Sequence, residues 1–154
     1  MKFLHHFFKL FILLSFISLL ISCSHHIVTE SEKLYANATL RHRQFVENSN
    51  SVSVDEWKEL IAQFQRVVNI DPDGKNADNA LYAIGSCWLW MYETKSTPTL
   101  TYAIESFEKL VKRYPKSNLI PDTYWWLGYC YEKIENHEQA AKYYQNMLQS
   151  CQFP

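Results

Sequence analysis

Leu81-Tyr82-Ala83-Ile84-Gly85-Ser86-Cys87-Trp88 and Tyr124-Trp125-Trp126-Leu127-Gly128-Tyr129-Cys130-Tyr131 lie 43 residues apart and read as two versions of one phrase. Superposed on their glycines, they bring Leu81 to Tyr124, Tyr82 to Trp125, Ile84 to Leu127, Cys87 to Cys130 and Trp88 to Tyr131. Pro72 and Pro115 also fall 43 apart. Within each copy the large apolar residues recur at spacings of three and four, which places them on one side of a helix. A unit that repeats in this way buries its apolar side against its neighbour in the stack.

Working outward, apolar residues keep helical spacing from Ser31 onward and predict helices over residues 31–47, 55–70, 77–93, 99–114, 121–134 and 137–150. Asp71-Pro72-Asp73-Gly74 and Tyr114-Pro115-Lys116-Ser117-Asn118 stop the second and fourth. Pro121 opens the fifth, where a missing backbone donor is harmless. Glu135-Asn136-His137 makes a tight link, and Glu93 to Leu100 a longer loop. Composition agrees with an all-α chain. Only three glycines among 154 residues leave little material for tight β-hairpins, and 16% aromatic residues are incompatible with disorder. The net charge of −1, from 15 basic and 16 acidic residues, gives no electrostatic reason to bind nucleic acid.

The repeated phrase resembles the tetratricopeptide pattern W-x2-L-G-x2-Y, then A-x3-F, then P. Here it reads Tyr124-x2-Leu127-Gly128-x2-Tyr131 followed by Ala140-x3-Tyr144, and before it Leu81-x2-Ile84-Gly85-x2-Trp88, Ala103-x3-Phe107 and Pro115. The helices at 31–47 and 55–70 look like a degenerate third hairpin, with Phe64 and Pro72 in register. The resemblance implies an all-α, tetratricopeptide-like stack of about three helical hairpins, an α-solenoid. Gly85 and Gly128 are expected where the two helices of a hairpin cross, with Ala103 and Ala140 as small facing surfaces.

The amino terminus carries an address. Met1 to Ser22 contain Lys2 and Lys9 and no acid, and the apolar run Leu10–Ile21 is 12 residues, short of the ~20 that span a bilayer as a helix. This is the pattern of a secretory signal. Its end, Leu20-Ile21-Ser22-Cys23, resembles the lipobox of bacterial lipoproteins, which implies cleavage before Cys23 and lipid on its thiol. Residues 1–22 then form a lipoprotein signal peptide, 23–30 a lipidated tether and 31–154 the helical domain. The mature chain would have 132 residues and a net charge of −3. Ser24 is not the Asp that favours inner-membrane retention in such lipoproteins, which implies the outer membrane, facing the periplasm. Three cysteines remain, so at most one bridge forms within the chain. Cys87 and Cys130 are expected to be buried and unpaired, and Cys151 is the better candidate for pairing with another chain.

Catalytic patterns do not emerge. His25, His26, His42 and His137 lack the i, i+4 pairing with a nearby acid that a metallohydrolase uses, and no phosphate-cradling glycine loop occurs. The expectation is therefore a protein that is not an enzyme, with no metal and no cofactor beyond the covalent lipid on Cys23. The candidate site is a surface. First helices of stacked hairpins line a concave side, where Asn79, Tyr82, Ser86 and Trp90 form one stripe and Asp122, Trp125, Tyr129 and Lys133 the next. Tyr82, Trp90, Trp125 and Tyr129 would make an aromatic groove for a protein or extended peptide, with Asp122 and Lys133 as polar handles. On the last helix, Ala140, Ala141, Tyr144, Met147 and Leu148 form an apolar side, part of which is open to a homo-oligomer contact.

The run Phe107-Glu108-Lys109-Leu110-Val111-Lys112-Arg113-Tyr114-Pro115-Lys116-Ser117, with Ile120-Pro121-Asp122-Thr123-Tyr124-Trp125-Trp126-Leu127-Gly128 after it, has a narrower likeness. It resembles the repeats of the lipoprotein subunit of the β-barrel assembly machinery and of the periplasmic Tol-Pal-associated coordinator. Trp57 to Tyr131 also looks like the repeat segment of some periplasmic N-acetylmuramoyl-L-alanine amidases. The sequence departs from each: it has at most three repeats where the assembly lipoprotein has about five, and it shows neither the coordinator's coiled coil nor an amidase domain. These likenesses imply a membrane-anchored interaction adaptor in outer-membrane or cell-wall assembly. The alternative is a peptidoglycan-binding or amidase-supporting auxiliary of cell-wall hydrolysis.

Overall fold

The computed structural model describes residues 30–95 and 98–152. The predicted signal peptide, Cys23 and the tether up to residue 29 lie outside the described residues. Among the described residues six helices follow one another: α1 (30–47), α2 (Val54–Ile70), α3 (Ala77–Lys95), α4 (Leu100–Arg113), α5 (Ile120–Lys133) and α6 (His137–Gln152). No strand occurs among the described residues. Each helix from α2 onward packs on the next in sequence, and α1 packs on α2 through Phe45 against Trp57 and Tyr35 against Phe64. The result is three hairpins stacked in order, the predicted architecture.

Local chemistry sets the ends of these elements. Ser53 caps α2 in a reciprocal box: its hydroxyl accepts from the Glu56 amide, and the Glu56 carboxylate accepts from the Ser53 amide at 2.8 Å. These bonds hold the Glu56 carboxyl below its ordinary range. Pro121 stands in the first turn of α5, as expected. Between α5 and α6, Glu135 takes a left-handed φ of 60°, and the Asn136 amide donates back to the Tyr131 carbonyl at 2.9 Å.

The expected loop from Glu93 to Leu100 is shorter than the sequence implied. Gly85 to Phe107 spans 22 residues where Gly128 to Tyr144 spans 16, and the surplus enters the helix: α3 runs ten residues past Gly85, α5 only five past Gly128. Leu89 and Met91 lie in the core, which rewards keeping this segment helical. The Thr99 hydroxyl then donates to the Trp88 carbonyl at 2.8 Å, folding the chain back along α3.

Two apolar clusters form the interior. One joins Ala38, Phe45, Trp57, Leu60, Phe64, Leu81, Ile84, Cys87 and Leu110; the other joins Leu89, Leu100, Ala103, Phe107, Leu127 and Cys130. α3 contributes to both and so couples the first hairpin to the last. At each hairpin crossing the glycine does what its position predicted. A Cβ on Gly85 would stand 2.5 Å from the Phe107 ring, and one on Gly128 would stand 2.5 Å from the Tyr144 ring. The aromatic at the end of each A-x3-F/Y motif therefore lies directly on the backbone of the facing helix. Ala103 and Ala140 are both buried.

Candidate functional site: an aromatic groove between α3 and α5

Successive turns of α3 and α5 carry aromatic side chains toward one another. Ser86, Leu89, Trp90 and Glu93 on α3 and Trp125, Trp126 and Tyr129 on α5 enclose a cavity of about 320 Å³. The α5 rings are ordered among themselves. Trp125 stacks on Tyr129 with centroids 6.0 Å apart and planes at 15°, while Trp126 meets both edge-on, at 4.4 Å from Trp125 and 5.8 Å from Tyr129. Trp125 keeps 42% of its surface exposed, unusual for an indole within an ordered cluster.

The structure brings three of the predicted groove residues to this cavity, Trp90, Trp125 and Tyr129, together with Ser86 of the same stripe. Tyr82 is half-buried beside it: its ring packs edge-on against Phe107 at 5.8 Å, and its hydroxyl accepts from Trp126 Nε1 at 2.8 Å. It braces Trp126 instead of lining the cavity. Burial raises the Tyr82 phenol above its ordinary value, and the nearby Asp122 charge pushes the same way. Asp122 is exposed near this end of the groove. Lys133 sits at the other end, with Nζ 5.0 Å from the centroid of the Tyr129 ring, a cation–π contact.

Glu93 and Trp126 join the site without having been singled out in the sequence. Glu93 was the boundary between the expected helix 77–93 and the expected loop; it lies three residues beyond Trp90 and continues the α3 stripe, inside a helix that runs to Lys95. It accepts a hydrogen bond of 2.5 Å from the Tyr129 hydroxyl. The Tyr129 phenol is raised, first by burial and then by this bond to a carboxylate. Trp126 follows Trp125 directly and so falls off the three-and-four stripe. Its signal was the doubled tryptophan itself.

Cys87 and Cys130 are buried free thiols; burial pushes the first far above its ordinary value and the second up to about 12, with Glu93 adding to the latter. Neither is poised as a thiolate. Cys151 is a free, exposed thiol on α6. Among the described residues no three His, Cys, Asp or Glu converge as metal ligands, and no helix is long and apolar enough to cross a membrane. The α6 face divides as its spacing implies: Ala140 is buried, while Ala141 and Leu148 are exposed, Leu148 at 55%.

Residues 79–117 and 122–151, the second and third hairpins, match the family described as tetratricopeptide repeat. The likeness covers these two hairpins and agrees with the helical-repeat fold. The match does not extend over α1 and α2. Among solved structures, the tetratricopeptide domain of Arabidopsis FLU is similar over 80% of this chain and 99% of its own, with a TM-score of 0.59 and 15% identity. At that identity the likeness concerns the fold alone. No protein of curated function matches the sequence.

Proposed function

We propose that the chain is a non-enzymatic interaction adaptor of the cell envelope, held on the outer membrane by lipid on Cys23 and facing the periplasm. It binds a second envelope protein, or an extended segment of one, in outer-membrane or cell-wall assembly. The observation that carries the binding half of this reading is the α3–α5 cavity, in which a part-exposed indole, Trp125, is held in place by Tyr129 and Trp126. Rigid rings already fixed by their neighbours lose little entropy on binding and bury much area. The membrane half is supported by the Leu20-Ile21-Ser22-Cys23 sequence after an apolar run. Several acyl chains at ~0.8 kcal/mol per buried methylene suffice for stable anchoring.

Each half has its own test. Cys23→Ser should abolish labelling by palmitate and release the protein from the membrane fraction; unchanged labelling would sink the anchor. A photo-crosslinking residue at position 125 should trap a discrete envelope protein in cells, and Tyr129→Ala should reduce that product severalfold with helicity unchanged. If the mature chain instead co-sediments with purified peptidoglycan and crosslinks to no protein, the cell-wall auxiliary reading replaces the adaptor.

A further inference from the structure

The α3–α5 cavity combines apolar walls with an unbalanced charge at its rim. Glu93 uses Oε1 to accept from Tyr129 and has no basic side chain within ion-pair distance among the described residues. Asp122 adds a second exposed carboxylate along the α5 stripe. At the Glu93 end, away from Asp122, the basic residue Lys133 places its ammonium over the Tyr129 ring, one turn beyond it, while Trp125 stacks one turn before. Aromatic faces are themselves electronegative and attract cations. At about 320 Å³, the cavity has room for one large side chain.

We propose that this cavity recognises an arginine side chain presented by an extended segment of a partner protein. The guanidinium lies against the part-exposed face of Trp125 and donates to the Glu93 carboxylate, while the aliphatic stem packs on Leu89 and Trp90. Arginine fits better than lysine because its planar, weakly hydrated head can stack on an indole and still direct N–H donors sideways to a carboxylate. The proposal rests on the groove being a protein-binding surface and adds the chemistry that surface selects.

The test uses the mature chain and four acetylated, amidated peptides of one leucine-rich frame that carry arginine, citrulline, lysine or glutamate at the central position. Binding is followed by tryptophan fluorescence and calorimetry. The arginine peptide should bind, and citrulline, which keeps the shape and loses the charge, should bind about tenfold more weakly, as for one charge-assisted contact. Glu93→Gln should erase the preference for arginine over citrulline. Lys133→Gln, which removes a repelling cation, should tighten arginine binding. Both residues are exposed, so circular dichroism and thermal melting should match the parent. Equal binding of arginine and citrulline, a preference for glutamate that Lys133→Gln destroys, or no binding by any peptide would overturn the proposal. If all four peptides bind alike and Trp125→Ala abolishes binding, arginine selection fails and the protein-binding groove stands. If peptides bind and Trp125→Ala changes nothing, the groove reading fails as well.

Discussion

Gly128 has no room for a methyl group, because the Tyr144 ring occupies the space where a Cβ would sit. Gly128→Ala must push that ring away or part the two helices, which costs about 1–3 kcal/mol by analogy with overpacked cores; urea denaturation should show the midpoint falling with little change in slope. Tyr144 also donates to Glu132 at 2.9 Å, so the ring is tied at its far end and yields less readily. His42 poses the opposite problem, a polar group with too few partners. Its ring meets Trp57 and Phe64 edge-on, its Nε2 has no hydrogen-bond partner, and burial lowers its pKa below the ordinary 6.5. The unfolded chain therefore binds this proton more readily than the folded one. Stability should be full above 6.5 and decline as the pH falls through the lowered folded value. Denaturation between neutral and mildly acidic pH should show this decline, and His42→Phe should flatten it.

At the scale of elements, one carboxylate ties three helices together. Glu108 on α4 accepts at Oε1 from Tyr131 of α5 and Tyr143 of α6, each at 2.9 Å, and the two phenol rings stack at 5.4 Å. Burial, then the bond to Glu108, pushes the Tyr131 phenol up to about 12 and raises Tyr143 likewise. Here the folded state holds protons more tightly than the unfolded chain. This stabilisation is complete below the ordinary tyrosine value of 10.0 and is lost as the pH rises toward 12. Tyrosinate absorbance should show a late-titrating class, and Glu108→Ala should shift it earlier while weakening α6 docking. α3 runs to Lys95, two residues beyond its expected end. Gly85, Cys87 and Trp88 announced their helix through their match to the later copy, but nothing in Glu93-Thr94-Lys95 signals helix or loop locally. The contact made there is tertiary: Lys95 Nζ donates to the Asn50 carbonyl of the first hairpin at 2.8 Å.

For the whole molecule, the two apolar clusters that meet on α3 predict graded and not independent stability. Trp57 is fully buried and carries contacts from Phe45 and His42. Trp57→Ala should cost about 3–5 kcal/mol. In a stack where each hairpin touches only its neighbours, that loss should fall first on α1 and α2. Hydrogen exchange should therefore speed up across residues 30–70 while α5 and α6 keep much of their protection; uniform acceleration over all six helices would mean that the stack unfolds as one unit.

Helix count, hairpin order and the glycine crossings were all legible in the chain alone, because a periodic apolar pattern and its repetition are local in sequence. The aromatic stripe of Trp90, Trp125 and Tyr129 was legible for the same reason, as residues three and four apart on one helix share a side. How the side chains divide their work was decided only in three dimensions. Tyr82 turns to brace Trp126 and Phe107, Glu93 rises on an extended α3 to meet Tyr129, and Lys133 settles on the Tyr129 ring. Each of these outcomes depends on the spacing between helices whose touching residues lie 25 or more positions apart in the chain, or on a rotamer chosen by packing, and no periodicity along the chain encodes either.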